Sequence, residues 1–179
     1  MSNIVVLHGS ALRKGNTAQL VSAFVRGAEA AGHRVTVLSV ATLNIHPCIG
    51  CERCATAPNH ACFQKDDMTQ VYAALAAADT LVVASPVYFY GISAQLKALI
   101  DRLHTPLRNT FAIKRAALLL VSGNTLPDLF DAILLQYRMI LRYFNIEDLG
   151  HILVSGVREP GAIAGHPALE EAYQLGKRL

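Results

Sequence analysis

All four cysteines of the chain fall inside seventeen residues, HPCIGCERCATAPNHAC at 46–62, with the spacing C-x2-C-x2-C-x7-C. Disulfides are not expected in a cytoplasmic chain, so the group reads as metal binding or redox chemistry. In the compact ferredoxin run the last cysteine follows closely and serves a second cluster. Here seven residues separate Cys54 from Cys62, room for the chain to return to the same centre. Cys48, Cys51, Cys54 and Cys62 therefore suit one [4Fe-4S] cluster. Zinc is the rival metal, although structural zinc sites more often split their ligands into two distant pairs, and His46 or His60 could replace a sulfur. The plainest alternative is four reduced thiols without metal. The segment belongs to a loop insertion at about 42–66, far longer than the roughly 4 to 6 residues usual between elements, and such loops tend to be functional or mobile.

A second stretch with chemical potential is HGSALRKGNT, residues 8–17. It follows an apolar run and precedes a helical pattern, so its amides open a helix, with the hydroxyls of Ser10 and Thr17, the amide of Asn16 and the cation of Arg13 beside them. It is not a Walker loop, because five residues separate Gly9 from Gly15 and Asn16 stands where the lysine belongs. The G-x-G-x-x-G of dinucleotide folds is also missing. Many donors and a cation suit a terminal phosphate; the alternative is a solvated turn with Asn16 or Thr17 as N-cap. Two further loops add to it. SPVYFYGIS at 85–93 offers three aromatics in a row, with Pro86 stiffening the turn and Gly91 permitting close approach of a flat heterocycle; otherwise it is an aromatic plug or subunit contact. SGNTLP at 122–127 is small and polar, and reads equally as a ligand loop or an ordinary turn.

These loops need a frame to bring them together. Short runs rich in branched residues at 3–7, 33–40, 80–85, 116–122 and 149–155 predict five buried strands. Helical patterns alternate with them, carried by Leu20, Val21, Phe24, Val25 and Ala28, by Leu96, Leu99, Ile100 and Leu103, and by Ile133, Leu134, Tyr137, Leu141 and Phe144. Gly32 is placed as a left-handed C-cap, Ser93 as an N-cap and Pro127 near a helix start, while Glu170, Glu171, Lys177 and Arg178 match the dipole of a last helix. Strands alternating with helices predict one α/β domain over 1–179, a doubly wound five-stranded parallel sheet of flavodoxin-like order 2-1-3-4-5. In that topology ligands sit outside the carboxyl ends of the strands, where the winding reverses between the first and third. The three loops leave the first, third and fourth strands and so meet there.

Composition narrows the classes. Charged residues are only 16% against 53% hydrophobic, well below the roughly 25% charged usual for soluble domains, which predicts surface buried between subunits. A net charge of +3, with no basic run beyond Arg13–Lys14, gives no reason to expect nucleic acid. Asp79 and Pro86 interrupt the longest apolar stretch, so no membrane span is expected, and Met1-Ser2-Asn3 leads into no signal core. A cytoplasmic protein is expected. Lys97, Asp101 and Arg102 read as a solvated or interfacial ion pair, and His8 as a satisfied structural histidine.

GSALRKGNT, DDM at 66–68, ADTLVVASPVYFYGISAQLKALIDR and SGN together resemble the NAD(P)H-dependent FMN reductase group of flavodoxin-like proteins, in particular its iron-sulfur flavoprotein branch. The resemblance implies bound FMN. Ser10, Arg13, Gly15, Asn16 and Thr17 would take its phosphate. Pro86, Val87, Tyr88, Phe89, Tyr90 and Gly91 would lie along the isoalloxazine, and Ser122, Gly123 and Asn124 at its far side. The TLPDLF continuation departs from the glycine-richer loops of relatives. It also implies hydride uptake from NAD(P)H, with electrons passed to a flavin, quinone or protein acceptor, or to and from a cluster where one is present. Flavin carries that chemistry, so no catalytic acid or base is assigned. A homodimer or homotetramer is implied as well. The alternative is a non-enzymatic flavin, or iron-sulfur, electron carrier or redox sensor.

Overall fold

The computed structural model describes all 179 residues. Its strands are β1 (Asn3–His8), β2 (Arg34–Ser39), β3 (Thr80–Tyr88), β4 (Gly91–Ile92), β5 (Arg115–Val121) and β6 (Glu147–Val154). The helices are α1 (Asn16–Ala30), α2 (Arg53–Thr56), α3 (Met68–Ala77), α4 (Ala94–Asp101), α5 (Asp131–Phe144) and α6 (Ala168–Lys177), with 3-10 turns at Pro58–His60 and Pro106–Thr110.

Five strands run parallel in the order β2-β1-β3-β5-β6, the doubly wound order expected, and β4 adds only a two-residue antiparallel pairing to the end of β3. Alternate residues of the central strands enter two cores. Ile4, Val6, Val82, Ala84, Leu119 and Val121 face α1 and α6. Val5, Leu7, Val83, Leu118 and Leu120 face α3, α4 and α5. Burial on both faces is why these strands are continuously apolar instead of alternating. The outer strands differ from that expectation. β2 and the first half of β6 are half-buried or exposed, because each edge strand has a neighbour on one side only. Gly32 closes α1 at φ +82 and Ser93 accepts the Leu96 N–H, as expected. Pro127 precedes a turn instead, since α5 begins only at Asp131.

The α1–α6 crossing is set by two glycines. A Cβ at Gly27 would stand 1.9 Å from the Tyr173 carbonyl oxygen, and one at Gly176 would stand 2.2 Å from that of Phe24. Backbone cannot yield as a side-chain tip can. Gly27→Ala is accordingly expected to cost about 3 kcal/mol or more, at the upper end of overpacking penalties, read as a lowered thermal midpoint.

Candidate functional site: an anion cradle and a cysteine cavity

The switch point between β1 and β3 is held tightly. The Gly9 N–H donates to the Ala84 carbonyl at 2.7 Å, and the Ser93 hydroxyl donates to the Gly9 carbonyl at 2.6 Å. Ser93 N–H in turn donates to Ser85 Oγ at 3.0 Å. A Cβ on Gly9 would lie 2.6 Å from the tip of the Leu96 side chain and 3.1 Å from the Ala84 carbonyl oxygen, so a larger residue would press on α4. Beyond it, Ser10 Oγ accepts from Leu12 N–H at 3.1 Å and shapes the turn. Gly15 occupies the N-cap position of α1 with no side-chain cap, which removes the reading of Asn16 or Thr17 as N-cap. The first bond of that helix runs from Gln19 N–H to the Gly15 carbonyl, leaving the amides of Asn16, Thr17 and Ala18 without a helical acceptor. Arg13 and Lys14 are exposed beside them, while Ser10 and Thr17 are buried. Ser10 Oγ also donates to the Leu12 carbonyl at 3.4 Å, so the open amides at the helix start and the two cations beside them make a cradle of the kind that can receive a doubly charged anion.

Asn16 differs from its expected part. Its side-chain amide donates to the carbonyls of Val157 (3.1 Å) and Glu159 (2.9 Å), and its oxygen accepts from Gly161 N–H (2.9 Å) and Ile163 N–H (3.3 Å). Every hydrogen-bonding position of the side chain is used within the chain, so only its backbone amide is left for an anion. The bonds bring the loop after β6, residues 155–163, to the cradle. Sequence reasoning passed over that loop, whose signal was its place after the last strand at the same sheet edge. It also backs the 122–124 turn: a Cβ on Gly123 would meet Arg158 at 3.1 Å, and Val157 N–H donates to the Ser122 carbonyl at 3.0 Å. Asn124 Oδ1 accepts from Thr125 and Leu126 N–H, which stiffens the turn.

The aromatic loop is a two-residue hairpin joining β3 to β4, with Val87 opposite Ile92 and Tyr88 opposite Gly91. Phe89 (φ 48) and Tyr90 (φ 63) carry the left-handed conformation that such a turn demands and that Asn-Gly normally supplies. Gly91 itself is not left-handed, so the strain lies at the two positions before the glycine. Phe89 is 99% exposed and Tyr88 and Tyr90 are about half exposed, an aromatic surface presented beside the cradle. His8 differs from the fully satisfied histidine expected. Nδ1 pairs with Ser39 Oγ at 3.2 Å, Nε2 is buried without a partner, and burial lowers its pKa and keeps the ring neutral.

The cysteine insertion is closed at its neck. Asp66 accepts from His46 N–H at 2.9 Å and Met68 N–H at 3.2 Å, and Asp67 accepts from Asn44 N–H at 2.7 Å. Asp66 is also the partner of Arg102, and both side chains are buried. The expected ion pair is therefore half right. Lys97 and Asp101 pair on the exposed face of α4, whereas Arg102, just past the helix end, turns inward to an acid 36 residues away. Burial alone would raise the Asp66 pKa; the hydrogen bonds from Arg102, His46 and Met68 and the guanidinium charge outweigh it and hold the carboxyl below its usual range.

Within the neck, Gly50, Glu52, Asn59 and His60 all have positive φ. These tight turns fold the segment so that Cys48, Cys51, Cys54 and Cys62 line one cavity together with Tyr72, Arg102 and Thr105. Cys48 and Cys51 are exposed, Cys54 and Cys62 half-buried, and none is in a disulfide. Gly50 N–H donates to Cys48 Sγ at 3.5 Å. No three His, Cys, Asp or Glu side chains converge to grip a metal ion. Four soft thiols round one cavity, with a backbone amide already on one sulfur, are a donor set that fits an iron-sulfur cluster, whose ligands stand further apart than those of one ion.

No helix is long and apolar enough to cross a membrane. A family model described as NADPH-dependent FMN reductase matches residues 2–152. Over 96% of this chain and 76% of the relative, the sequence is 27% identical to an iron-sulfur flavoprotein of Archaeoglobus fulgidus. Another iron-sulfur flavoprotein, from Methanocaldococcus jannaschii, is 35% identical over 62% of this chain and 56% of its own length. Among solved structures, an NAD(P)H:quinone oxidoreductase from Methanothermobacter marburgensis superposes with a TM-score of 0.80 at 20% identity, covering 99% of this chain and 96% of that one. That likeness extends the fold to the whole chain.

Proposed function

The chain belongs to the NADPH-dependent FMN reductase family and is a flavin-dependent oxidoreductase, and from that premise we propose that it binds FMN at the β1–β3 switch point and passes electrons from NAD(P)H to a quinone, a flavin or a protein. The observation that supports this most is the cradle: free amides of Asn16, Thr17 and Ala18 at a helix start, with Arg13 alongside. Bound FMN would supply hydride acceptance and release of electrons singly or in pairs. The chain's own part is binding and orientation. Ser10, Arg13, Gly15 and Thr17, with the Asn16 amide, would hold the phosphate. The Pro86–Gly91 hairpin and the Ser122–Asn124 turn would flank the ring and exclude water. Asn16 acts from behind, fixing the post-β6 loop between the phosphate loop and the Ser122–Asn124 turn. Cys48, Cys51, Cys54 and Cys62 would hold a [4Fe-4S] cluster, and the exposure of Cys48 and Cys51 suits a one-electron partner. Four free thiols persist in a reducing compartment such as the cytoplasm.

Protein reconstituted with FMN is expected to oxidise NADH or NADPH with a quinone in steady state. Stoichiometric flavin with no nicotinamide turnover would reassign the chain as an electron carrier or sensor.

A homo-oligomer belongs to the same proposal. On α5, Ile133, Tyr137 and Leu141 face the core, yet Leu135, Met139 and Tyr143 form a second apolar stripe that is more than half exposed. The stripe borders a groove shared with Lys97, Asp101 and His104 of the α4 region. A two-fold copy would cover it with the same stripe and cross the Lys97–Asp101 pairs. Light scattering at micromolar concentration is expected to give a dimer or tetramer, and Met139→Glu to reduce its mass. A monomeric wild type overturns this part.

A further inference from the structure

Arg102 is 4% exposed, and its two terminal nitrogens have different surroundings. Nη1 is spent on Asp66 and on the His46 carbonyl at 3.1 Å. Nη2 is buried and has no partner. A guanidinium brought out of water with one donor unused is costly, and a native site rarely tolerates it unless an acceptor arrives with something else. The cavity that Arg102 lines is walled by the four cysteines, with Glu52, Gln64, Tyr72, His104 and Thr105 as its other polar side chains; Gln64 Nε2 donates to the Pro47 carbonyl and Thr105 Oγ1 accepts from Leu107 N–H. Tyr72 hydroxyl already donates to the Arg102 carbonyl at 3.0 Å. Glu52 is exposed and makes no ion pair.

We propose that Arg102, locked in place by Asp66, is a positioning residue of the cysteine cavity, whose free Nη2 donates to an anionic sulfur of the iron-sulfur centre and so governs how firmly that centre is held and at what potential it accepts an electron. The inference rests on the cluster reading above. A carboxylate fixes one terminal nitrogen of the planar fork and leaves the other without a partner, a division of labour that lysine cannot reproduce. Hydrogen bonds and positive charge beside the sulfurs of a net-negative cluster stabilise its reduced form, so losing them lowers the midpoint. Asp66 in turn keeps the cation from floating toward solvent. This gives the DDM segment and the arginine at the end of ALIDR one shared purpose.

The test compares anaerobically reconstituted full-length proteins by iron and sulfide content, release of iron to a chelator, and one-electron midpoint potential followed by electron paramagnetic resonance. Arg102→Lys keeps a charge for Asp66 but drops the second nitrogen. The double variant Asp66→Asn/Arg102→Gln removes both charges without stranding either. Both are expected to retain FMN, to hold iron about 10- to 100-fold less firmly, as second-sphere losses do, and to show a lowered midpoint, the double variant more so. Lys177→Gln, an exposed charge change on α6 outside the cavity lining, should match wild type. Wild type that takes up no iron or sulfide defeats the cluster reading and the inference with it. Wild type that loads normally, with either folded variant equal to it in midpoint and iron retention, defeats the inference alone. So does a Lys177→Gln variant that shifts as far as Arg102→Lys.

Discussion

Cys51→Ala is expected to abolish iron binding while leaving FMN in place. Four thiolates saturate a [4Fe-4S] cluster, and the loss of one opens an iron to water and oxygen. The structure predicts that the protein survives the change, because Cys51 is exposed and outside the core, where substitutions usually cost within about 0.5 kcal/mol. Flavin should stay, since the cradle and hairpin depend on β1 and β3 and share no hydrogen bond with Cys51. Nicotinamide oxidation with a two-electron quinone should then persist, and reduction of a one-electron protein acceptor should slow. Iron analysis beside the flavin spectrum checks it. Flavin-replete wild type with no iron after anaerobic reconstitution and four titratable thiols would make the segment a redox or structural loop.

The second large effect is discrimination between FMN and riboflavin. Helix-start amides and Arg13 offer at least two charge-assisted bonds to a phosphate, each worth about 1.5 to 3 kcal/mol before desolvation, which translates to roughly 10²- to 10⁴-fold tighter binding of FMN. Arg13→Ala should weaken FMN and leave riboflavin nearly unchanged, because an exposed cation has nothing to offer the uncharged ribityl end. Flavin fluorescence quenching measures both. Equal affinities would remove the phosphate from the cradle. Asn16→Ala should behave differently: it strands two amide hydrogens and two carbonyls of the post-β6 loop, so both flavins and the thermal midpoint should suffer together.

The contrast between Arg13 and Asn16 shows where sequence reading stops. Both looked alike in GSALRKGNT, as polar side chains in a ligand loop. Asn16 finds its partners 141 to 147 residues later, and no local pattern carries that information. Arg102 was grouped with Lys97 and Asp101 by helical spacing, but it lies at the C-cap of α4, where the chain turns and the periodicity no longer applies. The left-handed positions of the hairpin fall on Phe89 and Tyr90, ahead of Gly91, which the sequence marks only as a point of close approach.

By itself the sequence determined the layers of this protein and the edge at which its loops meet. Burial is non-directional and follows the period of each element, so apolar runs such as VVL and ALLLV could only be strands covered on both faces, and winding rules then placed three loops at one switch point. It also supplied four cysteines in one insertion. Only the tertiary structure decided which polar groups remain free for a ligand: Asn16 spent, the α1 amides open, Arg102 half-used beside the sulfurs. Hydrogen bonds are short-ranged and directional, and their partners here come from distant strands, so each choice depends on positions that exist only once the sheet has been assembled.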